Sequence, residues 1–131
     1  MQLQITTDYA IRILLYLSKH KDDLPTAQTI AQAMGITYPF FVTIASKLKK
    51  KGLITGVQGR LGGYRLPRPA EQISLYDVYR AIEGELYINR CLYPDNYCSR
   101  NGVTECEVHD FFVEVQDYLV NTLTTKTIAD F

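Results

Sequence analysis

Apolar residues return at helical spacing early in the chain, where Ala10, Ile11, Leu14, Leu15 and Leu17 mark one side of a segment from Thr7 to His20. That spacing predicts an amphipathic helix, with the hydroxyl of Thr6 or Thr7 placed to cap its start. After Asp22-Asp23-Leu24-Pro25, a turn signal, Thr26 opens a second, shorter helix carrying Ala27, Ile30, Ala31 and Met34 on one side and ending at Gly35. Thr37 caps a third, with Pro39 in its first turn, where a missing N–H costs nothing. The inner face of this third helix is Phe40 or Phe41, then Ile44, Ala45 and Leu48, and it runs through Lys51 to Gly52. Two short apolar stretches follow, Leu53 to Val57 and Tyr64 to Leu66, around the loop Gly59-Arg60-Leu61-Gly62-Gly63. A glycine-rich loop between two such stretches reads as a hairpin, here a wing with a basic tip.

Beyond Pro67 and Pro69 the period resumes from Ser74 to Glu83, where Leu75, Val78, Tyr79 and Ile82 are spaced to pack on the first helices, and Gly84 closes the segment. From Tyr87 to Glu105 no period is sustained; Pro, Asn, Asp and Gly mix with two of the cysteines, as in a loop or ligand-bearing insert. From Glu105 to about Leu123 the residues Val108, Phe111, Phe112, Val115, Leu119 and Leu123 again fall near helical spacing. This long amphipathic helix comes after the core is already filled, so its apolar face calls for a partner helix. The expected fold class is mainly α with a small β-wing: a winged helix-turn-helix plus a long C-terminal dimerisation helix. The expected division is 1–84 for the DNA-binding part, 85–105 for a cysteine-bearing loop and 106–131 for the dimerisation helix and tail.

Composition narrows the function classes. With 131 residues, 47% hydrophobic and 21% charged, the chain is about one folded domain long, which excludes most multi-domain enzymes. The apolar run Ile11 to Leu17 is broken by Arg12, is too short for a membrane span and has no basic leader, so the expectation is a cytoplasmic protein without a membrane partner. The net charge of zero conceals a division. Residues 1–70 hold ten cations against three acids, a balance of +7, and residues 71–131 hold four against eleven, a balance of −7. A basic half joined to an acidic one is the distribution of a polyanion-binding module attached to a module of another kind; chance clustering of solvated charge is the competing reading.

On the third helix, Tyr38, Val42, Thr43, Ser46 and Lys47 lie opposite the apolar face, able to reach base edges in a major groove. Lys47, Lys49, Lys50 and Lys51 would address phosphates. Arg60 at the wing tip, beside Gln58, suits the minor groove, whose negative potential attracts guanidinium. The DNA-contacting set is therefore Thr37, Tyr38, Pro39, Val42, Thr43, Ser46, Lys47, Lys50, Gln58 and Arg60. Cys91, Cys98 and Cys106 have six and seven residues between neighbours, and His109 follows one helical turn after Cys106. An odd number of cysteines suits metal binding or thiol chemistry better than a disulfide framework. Their gaps are unlike the close pairs of zinc ribbons, which leaves an iron–sulfur cluster, zinc held with His109, and free thiols all open.

Several motifs together resemble one family. Thr7-Asp8-Tyr9-Ala10-Ile11-Arg12, then Gly52-Leu53-Ile54 leading to Gly59-Arg60-Leu61-Gly62-Gly63-Tyr64-Arg65-Leu66, then Ile73-Ser74-Leu75-Tyr76-Asp77-Val78 with Glu83-Gly84, and the three cysteines, are similar to the IscR/NsrR-type (Rrf) bacterial winged-helix regulators. The likeness spans nearly the whole chain. It implies a homodimeric transcription regulator, usually a repressor, bound to a double-stranded operator. It also implies an iron–sulfur cluster (2Fe-2S or 4Fe-4S) on Cys91, Cys98 and Cys106, although some members of the family hold none. Asp8 of the partner subunit is implied as fourth ligand by the nitric-oxide-sensing branch, and His109 by the branch that controls cluster assembly; Asp8 is the preferred expectation. Two rival classes stand beside this. One is a winged-helix protein-interaction module with structural zinc. The other is a small thiol enzyme using a cysteine with His20 or His109, which no phosphate loop, paired acids or Cys-His-acid series supports.

Overall fold

The structure, a computed structural model, describes residues 2–131. Its principal elements are α1 (Ile5–Lys19), α2 (Ala27–Met34), α3 (Tyr38–Lys50), β1 (Thr55–Val57), β2 (Gly63–Arg65), α4 (Leu75–Glu83) and α5 (Glu107–Thr125), with single 3-10 turns at Ala70–Gln72, Arg90–Leu92, Val103–Glu105 and Ile128–Asp130. The two strands are antiparallel, with Gly56 opposite Tyr64. Three of the helix starts are closed by hydroxyls that accept from backbone N–H groups within the first turn: Thr26 from Thr29, Thr37 from Phe40, and Ser74 from Asp77. At Ser74 the Asp77 carboxylate reaches back to the Ser74 N–H, so two otherwise orphaned donors are satisfied reciprocally.

The first helix starts differently from expectation. Neither Thr6 nor Thr7 caps it; Gln4 occupies the cap position without a side-chain bond, and α1 begins two residues before Thr7. Thr7 is instead buried inside the fold, its hydroxyl donating to the Glu83 carboxylate at the far end of α4, which also accepts from the Gln4 N–H at 3.0 Å. A buried hydroxyl needs such a partner. The buried face of α1 also differs: Ala10, Ile13, Leu14 and Leu17 are the enclosed residues, with Ile11 and Leu15 packed on the margin.

The core gathers that face with Ile30 and Ala31 of α2, Phe41, Ile44, Ala45 and Leu48 of α3, Leu53 and Ile54 before β1, and Val78 and Ile82 of α4. Of the two candidate phenylalanines, Phe41 is the enclosed one, and Phe40 lies at the edge against Tyr9. Leu53 and Ile54, expected in the hairpin, precede its first strand and serve the core. The last helix begins at Glu107 rather than Glu105, because Val103–Glu105 forms a separate turn and the Cys106 sulfur caps α5. None of the 19 residues of α5 is buried within the chain. After α5 the chain turns back: Ile128 is fully buried in the winged-helix core, its N–H bonding to the Ile73 carbonyl at 2.9 Å, while Leu75 N–H donates to the Lys126 carbonyl.

Candidate functional site

Two groups of residues carry the candidate chemistry. On α3 the enclosed side is Phe41, Ile44, Ala45 and Leu48, and every other position from Tyr38 to Lys50 except Phe40 is exposed. Tyr38, Val42, Thr43, Ser46, Lys47 and Lys50 thus share the solvent side of one helix, with Thr37 at its cap and Pro39 in its first turn. The Thr37 hydroxyl is occupied as an acceptor from the Phe40 N–H, and the Thr43 hydroxyl donates to the Pro39 carbonyl at 3.1 Å. Thr43 therefore presents chiefly its methyl group and a free lone pair outward.

The wing is held beside this helix by close backbone packing on the Leu24-Pro25 connection. At Gly63 any side chain would collide with the carbonyl oxygen of Leu24, since β2 runs directly over the Leu24-Pro25 connection and Tyr64 N–H donates to the Pro25 carbonyl at 2.9 Å. Next to it, the Tyr64 ring meets Phe41 edge-on at 5.4 Å between centroids, a favourable aromatic geometry. The Gly-Gly-Tyr motif thus has a mechanical reason: glycine lets the strand approach, and tyrosine anchors it to α3. At the tip Gly59 has φ +106° and its carbonyl accepts from Gly62, a tight turn that holds Gln58, Arg60 and Leu61 outward, Leu61 being 88% exposed.

The second group is the cysteine segment. All three cysteines are free and half-buried, and Cys91, Cys98, Cys106 and His109 line one cavity of about 400 Å³ together with Arg100 and Phe112. His109 Nδ1 lies 3.3 Å from the Cys91 sulfur, the Asn89 amide donates to that same sulfur at 3.4 Å, and the His109 N–H points at Cys106. Backbone N–H groups of Gly102 and Arg100 hold the Cys98 thiol below its ordinary pKa, favouring the thiolate that binds metals and reacts with oxidants. Three soft sulfur donors and an imidazole around a shared space fit an iron–sulfur cluster in donor chemistry. Among the described residues no three His, Cys, Asp or Glu side chains converge as an ion-binding set. Asp8 is elsewhere in the chain, paired with Arg12 at 2.9 Å beside a different cleft lined by Tyr16, His20 and Met34. His20 stacks on Tyr16 and bonds to its carbonyl, and it is not among the residues around the cysteines.

Sequence reasoning missed Arg90, which forks onto Asp95 with bonds of 2.6 and 2.7 Å and lowers that carboxyl to a pKa of about 2. The only signal was an Arg and an Asp five residues apart in a stretch without period.

A three-helix core with a glycine-tipped hairpin beside an exposed third helix is a winged helix-turn-helix. Residues 3–131 match the Rrf2 family, described as an iron-dependent transcriptional regulator, and the chain belongs to that family. It is 32% identical over 130 residues to protein aau3 of Rhizobium meliloti (strain 1021), covering 94% of this chain and 84% of that protein. To the HTH-type transcriptional regulator NsrR of Halalkalibacterium halodurans it is 33% identical over 132 residues, covering 99% and 89%. Its fold matches CymR (YrzC), the global cysteine regulator of B. subtilis, with TM-score 0.82 at 20% identity over 99% of this chain and 95% of that one. It also matches T. potens IscR with TM-score 0.75 at 24% identity, covering 99% and 85%. The protein is thus a transcriptional regulator and not an enzyme, which sets aside the thiol-enzyme reading. Among the described residues no helix is long and apolar enough to cross a membrane.

Proposed function

We propose that the chain is one subunit of a homodimeric, operator-binding repressor whose DNA affinity is set by an iron–sulfur cluster on the cysteine loop. The observation that carries this reading is the row of exposed polar side chains on α3 beside a wing locked in place by Gly63 and Tyr64. In this arrangement residues 1–84 bind DNA, 85–105 hold the sensor and 106–131 pair two copies.

Each α3 enters a major groove of a near-palindromic site, with Tyr38, Val42, Thr43 and Ser46 toward base edges and Lys47 and Lys50 toward phosphates. Gln58 and Arg60 follow the adjacent minor groove. Cys91, Cys98 and Cys106 are the cluster ligands, with Asp8 of the partner subunit as the fourth. A second reading, His109 as fourth ligand, is favoured by its 3.3 Å approach to Cys91. When bound, the cluster supplies a centre reactive toward nitric oxide and oxidants. The chain's own part is to hold that centre on the segment joining α4 to α5, so that loss of ligation alters the spacing of the two reading helices.

The test is an anisotropy titration of anaerobically purified protein, with and without iron and sulfide, against duplexes selected from a random pool, at several salt concentrations. Holo and apo protein should differ at least tenfold in affinity, and Lys47→Gln, which removes one phosphate contact from each of the two subunits, should lower the salt slope by about 1.8. Asp8→Ala or His109→Ala, whichever removes the visible absorbance, identifies the fourth ligand. Equal affinity of holo and apo protein at every salt concentration would reject the sensor role.

A further inference from the structure

The segment from Asn89 to Cys106 has no strand or long helix to hold it. It contains only two single 3-10 turns, and the backbone takes positive φ at Asn96 and Asn101. A free loop of this kind would let its thiols wander relative to one another. Besides the Asn89 and His109 contacts at the Cys91 sulfur, one side chain braces it. Arg90 donates from Nη1 to one Asp95 oxygen at 2.6 Å and from Nη2 to the other at 2.7 Å, the two-pronged geometry in which a guanidinium and a carboxylate match. The same guanidinium lies 5.2 Å from the centre of the Tyr93 ring and 5.0 Å from that of Tyr97, within cation–π range of both. Asp95 also accepts from the Tyr97 N–H at 3.3 Å, and Tyr93 stacks on Tyr87 at 4.4 Å. The positions matter as much as the contacts: Arg90 immediately precedes Cys91, and Tyr97 immediately precedes Cys98. A contact between those two side chains therefore ties together the backbone at the two cysteines.

We propose that Arg90 is the positioning residue of the cysteine loop, its guanidinium spanning Asp95, Tyr93 and Tyr97 so as to fix the separation of Cys91 and Cys98 in the metal-free protein. The inference rests on the reading of this loop as the sensor site, but not on the cluster itself. Both partners of the ion pair are about half exposed, and a pair of that kind adds little to global stability. The gain is preorganisation: two thiols held at the lining of one cavity bind a shared partner without first losing the freedom of the loop. Lysine cannot replace arginine here, because a point-like ammonium can neither fork onto both carboxylate oxygens nor spread over two rings.

The experiment uses reduced, metal-free full-length protein carrying Cys106→Ser, which keeps a cap oxygen for α5 and leaves Cys91 and Cys98 as the thiol pair. Phenylarsine oxide condenses with two thiols, forming two As–S bonds and releasing one water, so its affinity reports their proximity; iodoacetamide alkylates each thiol singly. Arg90→Gln should weaken arsenical capture about tenfold, with each alkylation rate within about twofold and the thermal midpoint unchanged. Arg90→Lys should behave as Arg90→Gln, and Tyr97→Leu should weaken capture in the same direction. Undiminished capture by Arg90→Gln, full rescue by Arg90→Lys, or a loss of capture that tracks a lowered thermal midpoint would overturn the proposal. Absence of visible absorbance from reconstituted wild-type protein would count against the cluster alone, leaving the arsenical result to decide the role of Arg90.

Discussion

The winged-helix part and the segment after it are built on different terms. Up to Leu86 the chain folds around a shared core in which α1, α2, α3 and α4 each enclose apolar side chains; from there on only Ile128 is fully enclosed. The 19-residue α5 leaves Val108, Phe111 and Tyr118 at 59%, 58% and 70% exposure. So many open apolar and aromatic positions on one helix are what an interaction surface presents. The difference teaches that the winged-helix head encloses its core within a single chain, whereas α5 leaves apolar side chains open, a face that the proposed function assigns to a second copy.

The largest expected effect separates the two parts outright. Phe111→Asp combined with Tyr118→Asp puts charge into the open face of α5 and should weaken self-association about a thousandfold, about 4 kcal/mol, because aromatic side chains dominate such interfaces. Sedimentation equilibrium should then report monomer at concentrations where the wild type is dimeric, while far-ultraviolet circular dichroism keeps its helical signal. An unchanged mass would remove α5 from the interface. Collapse of the helical signal would show instead that the head depends on association, and the contrast between the two parts would fail.

How far each part was legible follows from the same contrast. Helices of the head announce themselves by period, and the start of α3 by the hydroxyl of Thr37, whose partner lies three residues on. Thr7 looked like another such cap and is not one, because its partner is Glu83, 76 residues away; a local pattern carries no information about a contact of that range. Period alone could not choose between Phe40 and Phe41 either, since both fit a helix face and only the docking of α3 on β2 and α1 decides. In the cysteine segment the residue types were readable and their arrangement was not. Cysteine and histidine identify donor chemistry, but the path that places Cys91 beside His109 is set by side-chain contacts in a loop without period. The return of Ile128 was invisible for a related reason: a single 3-10 turn is too short to show a period.

That return offers the next test, because it binds the far end of α5 to the head. Ile128→Ala removes a fully buried branched side chain wedged beside Ile73 and α1, and should cost about 3 kcal/mol in a urea titration, within the range for truncating a core isoleucine. If the cost were under about 0.5 kcal/mol, the value typical of a surface position, the tail would be an ornament on the head rather than part of its core.

The smallest expected effect concerns the junction itself. Glu83 ends α4 just before the chain leaves the head, and its carboxylate receives both the Thr7 hydroxyl and the Gln4 N–H, binding the start of α1 to the point where the cysteine segment departs. Thr7→Val keeps the shape of the buried side chain but withdraws one donor from a charged acceptor. The loss should be about 1.5 kcal/mol, the lower end for a hydrogen bond to a charged group, because part of the carboxylate's demand is still met by Gln4 and by solvent. Thr7→Ser, which retains the hydroxyl and gives up a methyl group, should lose about 1 kcal/mol through packing alone. The discriminating measurement is therefore a cycle with Glu83→Gln: the Thr7→Val penalty should shrink in that background, since a neutral amide accepts the hydroxyl more weakly, while the Thr7→Ser penalty should not change. Equal Thr7→Val penalties in both backgrounds would mean that the hydroxyl is merely buried there and does not bind the start of α1 to the end of α4 through Glu83.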